Sequence, residues 1–340
     1  MNSVSSFFFA VGAFLLLQSD MRGAEAFFSP DGKTVITTVA MPSNIGSLAQ
    51  IDIASGKVTP IALPAAFANE DIDSVARGAD GEILFLAKNA VWVLKKSEAP
   101  RKVVSTDPVK NPTDLFVATK KGGALLDWLL ISGTEDEKDG AQRAFYARKP
   151  GGKNFKSVFC RRVENATSGA FAADGRMFFA SGGDLWEGHI DPESEGEVAG
   201  TLIGERIAAV AFANTDMANA GSLSLEVVCP AGKWIYCALG GHHMAAVIRT
   251  PRPTNANHEH EGQGALQASY RIQAQVLGGT EVIADLEDSI HGFCATEVDG
   301  KPLVFYYMRS NDDNGDGRPL MLWKGSGAPK VIGHLPKSKE

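Results

Sequence analysis

The sequence predicts an all-β protein, a β-propeller of six blades with four antiparallel strands each. Two observations predict it: a tight glycine turn between β-forming segments recurs along the chain, and no amphipathic helical pattern separates the repeats. In the first, Phe27-Phe28-Ser29-Pro30-Asp31-Gly32 runs into a second β-forming segment, and Asp-Gly supplies the positive φ of a hairpin turn. Spacings of roughly 40 to 70 residues suit propeller blades with loop insertions. The turn glycines are Gly32, Gly81, Gly122, Gly175, Gly232 and Gly300.

The repeats together predict a single propeller domain over residues 27–336. The segment 250–268, rich in Pro, Asn, His and Glu, is expected to be a mobile insertion before an outer strand at 270–276. Seven blades are the alternative, because residues 207–212 could open a further blade. The six blades are predicted near 27–63, 74–105, 114–160, 168–203, 223–276 and 292–335.

Residues 1–26 have the composition of a secretory signal peptide. The apolar run 7–17 is too short to span a bilayer but suits the hydrophobic region of such a signal. Ala24-Glu25-Ala26 is a small-x-small cleavage pattern, although the amino-terminal region lacks Lys and Arg. We therefore expect a secreted or periplasmic protein that is a monomer and, after cleavage, not an integral membrane protein.

Composition restricts the classes of partner. The chain has 340 residues, of which 44% are hydrophobic and 21% charged, an ordinary globular balance. Its net charge of −7 argues against nucleic acid as a partner. The four cysteines include no CxxC pair and are expected to be small buried apolar residues: Cys160, Cys229, Cys237 and Cys294.

The first blade carries a family resemblance. The phrase Phe28-Ser29-Pro30-Asp31-Gly32-Lys33, followed later by Asp52-Ile53-Ala54-Ser55-Gly56-Lys57, resembles the WD-repeat-like blades of the TolB-like six-bladed propeller family. Members of this superfold include periplasmic scaffold proteins, sensor domains and hydrolases, so the resemblance implies a fold and leaves function open. The chain lacks a Gly-x-Ser-x-Gly elbow and a peptidase domain, so the resemblance does not extend to prolyl-peptidase-like enzymes.

The strand order sorts the loops onto two faces of the propeller. The first and third turns of each blade lie on one face, the turn face, which is rich in Lys and Arg. The other loops surround the channel opening on the mouth face, where acidic residues would attract cations or a basic partner. The alternative is that these acids only aid solubility. The predicted ligand or partner residues are Glu70, Asp71, Asp73, Asn165, Asn214, Asp216, His242, Asp285, Asp288 and His291.

One segment resembles the start of a calcium loop. In Asp312-Asp313-Asn314-Gly315-Asp316-Gly317 the oxygen-bearing residues Asp312, Asn314 and Asp316 alternate, as in an EF-hand. The twelfth position is Trp323 instead of a bidentate Glu, and no helical pattern flanks the loop. A polar hairpin loop is therefore the alternative to a calcium site.

These patterns predict an exported, non-catalytic propeller that binds a protein or small-molecule ligand, basic or cationic, through its mouth face. The alternative is a calcium-dependent propeller hydrolase or lactonase. In that case Asn165, Asn214, Asp216 and Asp285 would supply oxygen ligands from successive loops around the channel.

Overall fold

The computed structural model describes thirteen stretches of the chain, whose regular secondary structure is almost entirely β-strand. Apart from strands they contain one 3₁₀ turn, Ala65–Phe67, and no described helix is long and apolar enough to cross a membrane. The described residues are 25–39, 48–67, 70–134, 143–161, 166–181, 184–191, 198–210, 224–241, 244–253, 265–268, 272–273, 281–310 and 316–336.

Four-stranded antiparallel groups of consecutive strands form the blades, which we number in chain order. Blade 1 contains β1 (Ala26–Phe28), β2 (Thr34–Thr38), β3 (Leu48–Asp52) and β4 (Val58–Pro60). Blade 2 contains β5 (Ser74–Arg77), β6 (Ile83–Ala87), β7 (Ala90–Leu94) and β8 (Arg101–Ser105). Blade 3 contains β9 (Lys110–Val117), β10 (Leu129–Thr134), β11 (Ala144–Arg148) and β12 (Lys156–Arg161).

The second half of the chain repeats this plan. Blade 4 contains β13 (Ala166–Phe171), β14 (Met177–Ser181), β15 (Asp184–Asp191) and β16 (Val198–Val210). Blade 5 contains β17 (Ser224–Ala231), β18 (Trp234–Gly241) and β19 (Met244–Pro251); the short β20 (Ala265–Ala268) and β21 (Ile272–Gln273) precede its outer strand β22 (Glu281–Leu286). Blade 6 contains β23 (Ile290–Val298), β24 (Lys301–Met308), β25 (Arg318–Trp323) and β26 (Lys330–Leu335).

The inner strands of the blades form a closed ring. Strands β1, β5, β9, β13, β17 and β23 contact one another in this order, and β23 returns to β1. A separate hydrophobic cluster fills the space between each pair of neighbouring blades, for example Phe178 with Ile235 between blades 4 and 5. The propeller fold is confirmed. Six blades are present among the described residues, and the count for the whole chain stays a prediction.

Blades 3 and 4 are joined at their outer edges. Strand β12 pairs in parallel with β16, so the two blades form one continuous hydrogen-bonded sheet. No other described pair of blades is joined by strand pairing in this way. A cleft lies between blades 3 and 4 on the turn face.

The structure corrects two predicted strands. The outer strand of blade 5 is β22 (Glu281–Leu286), which pairs with β19, so the prediction that 270–276 is this outer strand is wrong. Of that range the structure describes residues 272–273, which form β21. The β-forming run from Leu125 to Ile131 predicts the second strand of blade 3, but that strand begins at Leu129, because the residues after Gly122 form further turns and Asp127 adopts a positive φ of 61°. Of the predicted insertion 250–268, residues 254–264 lie outside the described residues.

The six turn glycines all have positive φ, as predicted. The turn at Asp299 and Gly300 is a two-residue hairpin in which both residues have positive φ. The first turn is longer than the predicted two residues. Ser29 and Thr34 close it through a backbone hydrogen bond of 2.8 Å, and the Asp31 carboxylate accepts from the Ser29 hydroxyl.

Side chains and close backbone contacts close the ring between blades 1 and 6, since no described strand is exchanged between them. A hydrophobic cluster that includes Val35, Phe305 and Leu320 lies at this boundary. The Tyr307 hydroxyl donates to the carbonyl oxygen of Thr38 at 3.2 Å. Gly56 of blade 1 lies against the backbone of blade 6, where a Cβ would come within 1.7 Å of the Ile332 carbonyl oxygen.

Substitution of Gly56 by alanine should therefore destabilise the ring closure. We expect Gly56→Ala to lower the free energy of unfolding by about 2 kcal/mol or more, from positive φ and overpacking together. Gly81→Ala is the matched control, because Gly81 also has positive φ but a Cβ there would meet nothing within 4 Å. Urea denaturation of both variants measures the difference, and equal losses would contradict the role of Gly56 in closure.

Cys229, Cys237 and Cys294 are free thiols in the structure, whereas the side chain of Cys160 lies outside what the structure describes. Cys237 and Cys294 are buried, and Cys229 is partly buried between blades 5 and 6. The Cys229 Sγ accepts from the Ala295 N–H at 3.2 Å and donates to its carbonyl at 3.4 Å. Burial raises the pKa of the Cys229 thiol to about 11, so it stays protonated near neutral pH.

Candidate functional site

Each blade carries a polar side chain within or directly before its inner strand, near the mouth face. The inner strands run in the same direction around the channel, so the residues at their beginnings lie at the same end. We call this set the mouth ring. Each member precedes the turn glycine of its blade by six to nine residues; Glu25, Ser74 and Ser168 do so by seven. The mouth ring comprises Glu25, Ser74, Asp114, Ser168, Glu226 and His291.

Irregularities in the strands direct several of these side chains. The pairing register of β13 shifts around Ser168, that of β17 shifts around Glu226, and that of β23 shifts directly after His291. A β-bulge leaves an extra residue out of the ladder and re-aims side chains, and bulges are common beside functional sites. Three consecutive blades thus carry a bulge at the mouth ring.

Glu25 is a buried acidic residue of the mouth ring, with only 5% of its surface exposed. Its Oε2 accepts the Gly292 N–H at 2.8 Å and lies 3.4 Å from Nδ1 of His291. Gly292 has a φ of 59°, and a Cβ there would come within 2.4 Å of the Tyr307 ring. The His291 ring lies nearly parallel to that of Tyr307, with centroids 5.7 Å apart. Blades 1 and 6 therefore hold a carboxylate and an imidazole together.

Glu226, from the neighbouring blade 5, completes an electrostatic cluster with these two residues. Burial raises its pKa to about 7; His291 opposes that rise when its ring is protonated, and the Glu25 carboxylate adds to it. Its carboxylate occupies space that a larger residue at position 240 would take, since a Cβ on Gly240 would lie 2.1 Å from it. Gly240 thus makes room for a carboxyl group that is near half-protonation at neutral pH.

The opposite side of the mouth ring has a structural role. The hydroxyls of Ser132 and Thr113 both donate to the Asp114 carboxylate, the second at 3.0 Å. Arg143 in turn donates to the Thr113 hydroxyl at 2.6 Å. Ser74 links blades 2 and 3, because its hydroxyl accepts the Leu115 N–H at 3.0 Å. This network holds the inner strands of blades 2 and 3 together and surrounds the Asp114 carboxylate with hydrogen-bond donors.

We call Glu25, His291 and Glu226 the acid–base cluster. Together they provide a proton acceptor and a proton donor. A carboxylate beside one nitrogen of a histidine orients the ring and leaves the other nitrogen available as a proton acceptor. A second carboxyl group whose pKa is near 7 can donate a proton at neutral pH. Titratable groups that burial and neighbouring charges perturb in this way often mark functional sites.

Among the predicted mouth-face residues that the structure describes, only His291 belongs to this cluster. Glu70 instead forms an ion pair of 3.1 Å with Lys88, and Asp71 and Asp73 are exposed. Asp288 holds the neighbouring loops, since it accepts from the backbone N–H and the hydroxyl of Ser310.

Asp285 is not in a loop at the channel. It lies exposed in the outer strand β22, because that strand begins later than predicted. Asn165, Asn214, Asp216 and His242 lie outside the described residues.

Sequence reasoning missed Glu25 and Glu226 for identifiable reasons. Glu25 sits inside the Ala24-Glu25-Ala26 pattern that suggested a cleavage site, and Glu226 interrupts the apolar run of β17. The signal that would have found both is their distance from the turn glycine of each blade. That spacing places one polar residue of every inner strand at the same level.

The described residues do not fit a calcium site. Asp312 and Asn314 of the predicted calcium loop lie outside them, and Asp316 is exposed. Within the described stretches, no group of three His, Cys, Asp or Glu residues could hold a metal ion. The Glu25 Oε2 is already directed at the Gly292 N–H and His291. Its hydrogen bond to Gly292 and its contact with His291 account for this oxygen without a calcium ion.

Comparison with solved structures supports the propeller fold. A luciferin-regenerating enzyme is similar, with a TM-score of 0.54 and 10% identity over 94% of this chain and 96% of that chain. Regucalcin from Agrobacterium tumefaciens strain C58, a calcium-binding protein, has a TM-score of 0.51 and 16% identity over 94% of each chain. No protein-family model matches the chain, and no curated protein matches it in sequence. These likenesses show a β-propeller and do not single out the TolB-like group.

Proposed function

We propose that this propeller is a hydrolase of small esters or lactones and that the acid–base cluster is its active site. The observation that carries the proposal is the partly buried Glu226, whose carboxyl pKa is raised to about 7, beside a paired carboxylate and histidine. The propeller likeness to a luciferin-regenerating enzyme and to regucalcin is compatible with chemistry at the channel mouth. The TolB-like resemblance of blade 1 is compatible with the same fold.

The cluster divides the proton transfers between two groups. Glu25 orients the imidazole of His291 through Nδ1, and the other nitrogen, Nε2, accepts a proton from water. The resulting hydroxide equivalent attacks the substrate carbonyl, and the C–O bond of the ester breaks. Protonated Glu226 delivers its proton to the leaving alkoxide, and a proton passed from His291 through solvent restores the acid. General acid–base catalysis of this kind contributes about 10²- to 10⁴-fold to the rate.

The charge of the site restricts the substrate class. Glu25 contributes a carboxylate to the cluster, Glu226 becomes a second one when it is ionised, and the mouth face carries exposed carboxylates at Asp71 and Asp73. An anionic substrate would be repelled, while a neutral or cationic ester or lactone would be accepted.

A pH-stat assay tests the proposal with neutral lactones and esters such as γ-butyrolactone and phenyl acetate. We expect turnover by the wild-type protein and a loss of about 10²- to 10⁴-fold in kcat for Glu226→Gln. Glu98→Gln, an exposed carboxylate on the turn face, is the control and should retain full activity. No turnover of any neutral or cationic substrate, or equal activity in Glu226→Gln, would refute the hydrolase function.

A second candidate function is non-catalytic binding of a basic or cationic partner on the mouth face. The exposed carboxylates of Asp71 and Asp73, in one loop, favour it. Calorimetry with a lysine-rich peptide at low salt tests this candidate. Binding that is lost in the Asp71→Asn, Asp73→Asn double variant, with no turnover of esters, would favour it over the hydrolase.

We also propose that the protein is exported and that cleavage precedes Glu25. Cleavage after Ala26, as the small-x-small pattern suggests, would remove Glu25 and the first residue of β1. The Gly292 N–H would then lose its acceptor and His291 its carboxylate. Mass spectrometry of the secreted chain should find Glu25 retained, and a mature chain beginning at Phe27 would contradict both this cleavage position and the acid–base cluster.

A further inference from the structure

A cavity of about 560 Å³ lies between blades 3 and 4 on the turn face, at the opposite end of the inner strands from the mouth ring. It exists because the connection from β9 to β10 takes eleven residues, 118–128, where the other first turns are short. This connection forms one wall, and the first turn of blade 4 forms the other. The volume falls in the range of small-molecule sites.

The interior of the cavity is apolar, and its rim is polar. Ala118, Leu125, Phe171, Met177 and Ile190 line the interior. Such a wall would accept an aliphatic or aromatic body, because burial of apolar surface supplies most of the affinity in pockets of this size.

The charges at the rim are unequally paired. Arg176 forms 3.1 Å ion pairs with both Asp174 and Glu187, and Arg252 lies 3.2 Å from the same Asp174. Lys120 differs, because its Nζ donates to the backbone carbonyl of Asp174 at 2.5 Å. A carbonyl oxygen does not neutralise an ammonium group, and no described carboxylate forms an ion pair with Lys120. Counted over the described residues, the rim therefore carries one uncompensated positive charge.

We propose that this cavity binds a small carboxylate with an apolar body, such as an aromatic or medium-chain aliphatic acid. The body lies against Phe171, Met177 and Leu125, and the carboxylate accepts from the Lys120 ammonium. This site is separate from the acid–base cluster and has the opposite charge preference, since the mouth face disfavours anions.

Isothermal titration calorimetry with 2-naphthoate and its neutral analogue 2-naphthalenemethanol tests the proposal on the full chain. We expect 2-naphthoate to bind about tenfold or more tightly than the alcohol, the difference expected for one charge-assisted hydrogen bond. Lys120→Gln should remove that preference while leaving binding of the alcohol unchanged. Ala124→Trp, in the exposed part of the cavity lining, should block both ligands without disturbing the core.

Two controls keep the test specific. Lys121→Gln changes an adjacent exposed lysine outside the lining and should bind 2-naphthoate as the wild type does. Glu226→Gln should also bind normally, so a failure of the hydrolase proposal would not affect this one. Absence of 2-naphthoate binding at about 1 mM, or equal affinity in Lys120→Gln, would overturn the proposal.

Discussion

Glu226→Gln is expected to stabilise the protein by about 3 kcal/mol at pH 8 and to leave its stability almost unchanged at pH 4. The carboxyl pKa of Glu226 rises from 4.5 to about 7 on folding, mainly through burial. Below pH 4.5 the carboxyl group is protonated in both the folded and the unfolded state, so its burial as a charge does not lower the free energy of unfolding. As the pH rises from 4.5 to 7, the unfolded chain ionises first, and the free energy of unfolding falls by about 1.4 kcal/mol per pH unit. Glutamine is similar in shape to the neutral acid and does not ionise, so the variant keeps its free energy of unfolding at high pH.

Urea denaturation of the wild type and the variant across this pH range measures the effect. Glu98→Gln, on the exposed turn face, should show no comparable pH-dependent gain. A variant that gains stability at high pH and loses catalysis would mark Glu226 as a residue retained for chemistry at a cost in stability. Equal pH dependence of the wild type and Glu226→Gln would show that the carboxyl group is not buried as described.

Glu25→Ala is the second substitution with a large expected effect. It leaves the buried Gly292 N–H without its acceptor, and it removes the carboxylate beside His291. An unsatisfied buried donor costs about 1–3 kcal/mol, and a charged acceptor places this case toward the upper end. Because the contact joins the first and last blades, we expect a loss of about 3 kcal/mol in the free energy of unfolding, together with loss of hydrolysis.

Glu25→Gln separates the two roles of this residue. The amide oxygen can still accept from Gly292, so most of the stability should return, while the charge that orients His291 is lost. We therefore expect Glu25→Gln to unfold within about 1 kcal/mol of the wild type and to remain strongly impaired in hydrolysis. Equal stability of Glu25→Ala and the wild type would show that Glu25 does not close the ring.

The repeated glycine turns made the propeller predictable, because positive φ at a tight turn is a local property of the chain. The connection after Gly122 shows the limit of this reasoning. Its apolar residues Leu125 and Leu126 favour a strand in isolation, yet they form turns against the neighbouring blade. The same limit applies to β22, whose position depends on pairing with β19 across a long insertion.

The candidate site was less predictable than the fold. Glu25, Glu226 and His291 are distant in sequence, and their proximity follows from ring closure between β17, β23 and β1. The acidic loop residues were conspicuous in the sequence, but those described are exposed or hold loops. A buried carboxyl group within an apolar strand attracts less notice, although its free-energy cost makes it the stronger indication of function.

Direct titration of Glu226 tests the central claim most simply. In protein labelled with ¹³C at the glutamate carboxyl carbon, the resonance absent from Glu226→Gln identifies this residue. We expect that resonance to titrate with a pKa of about 7. A midpoint near 4.5, the ordinary value for glutamate, would show that the carboxyl group is solvated and would contradict the acid–base cluster.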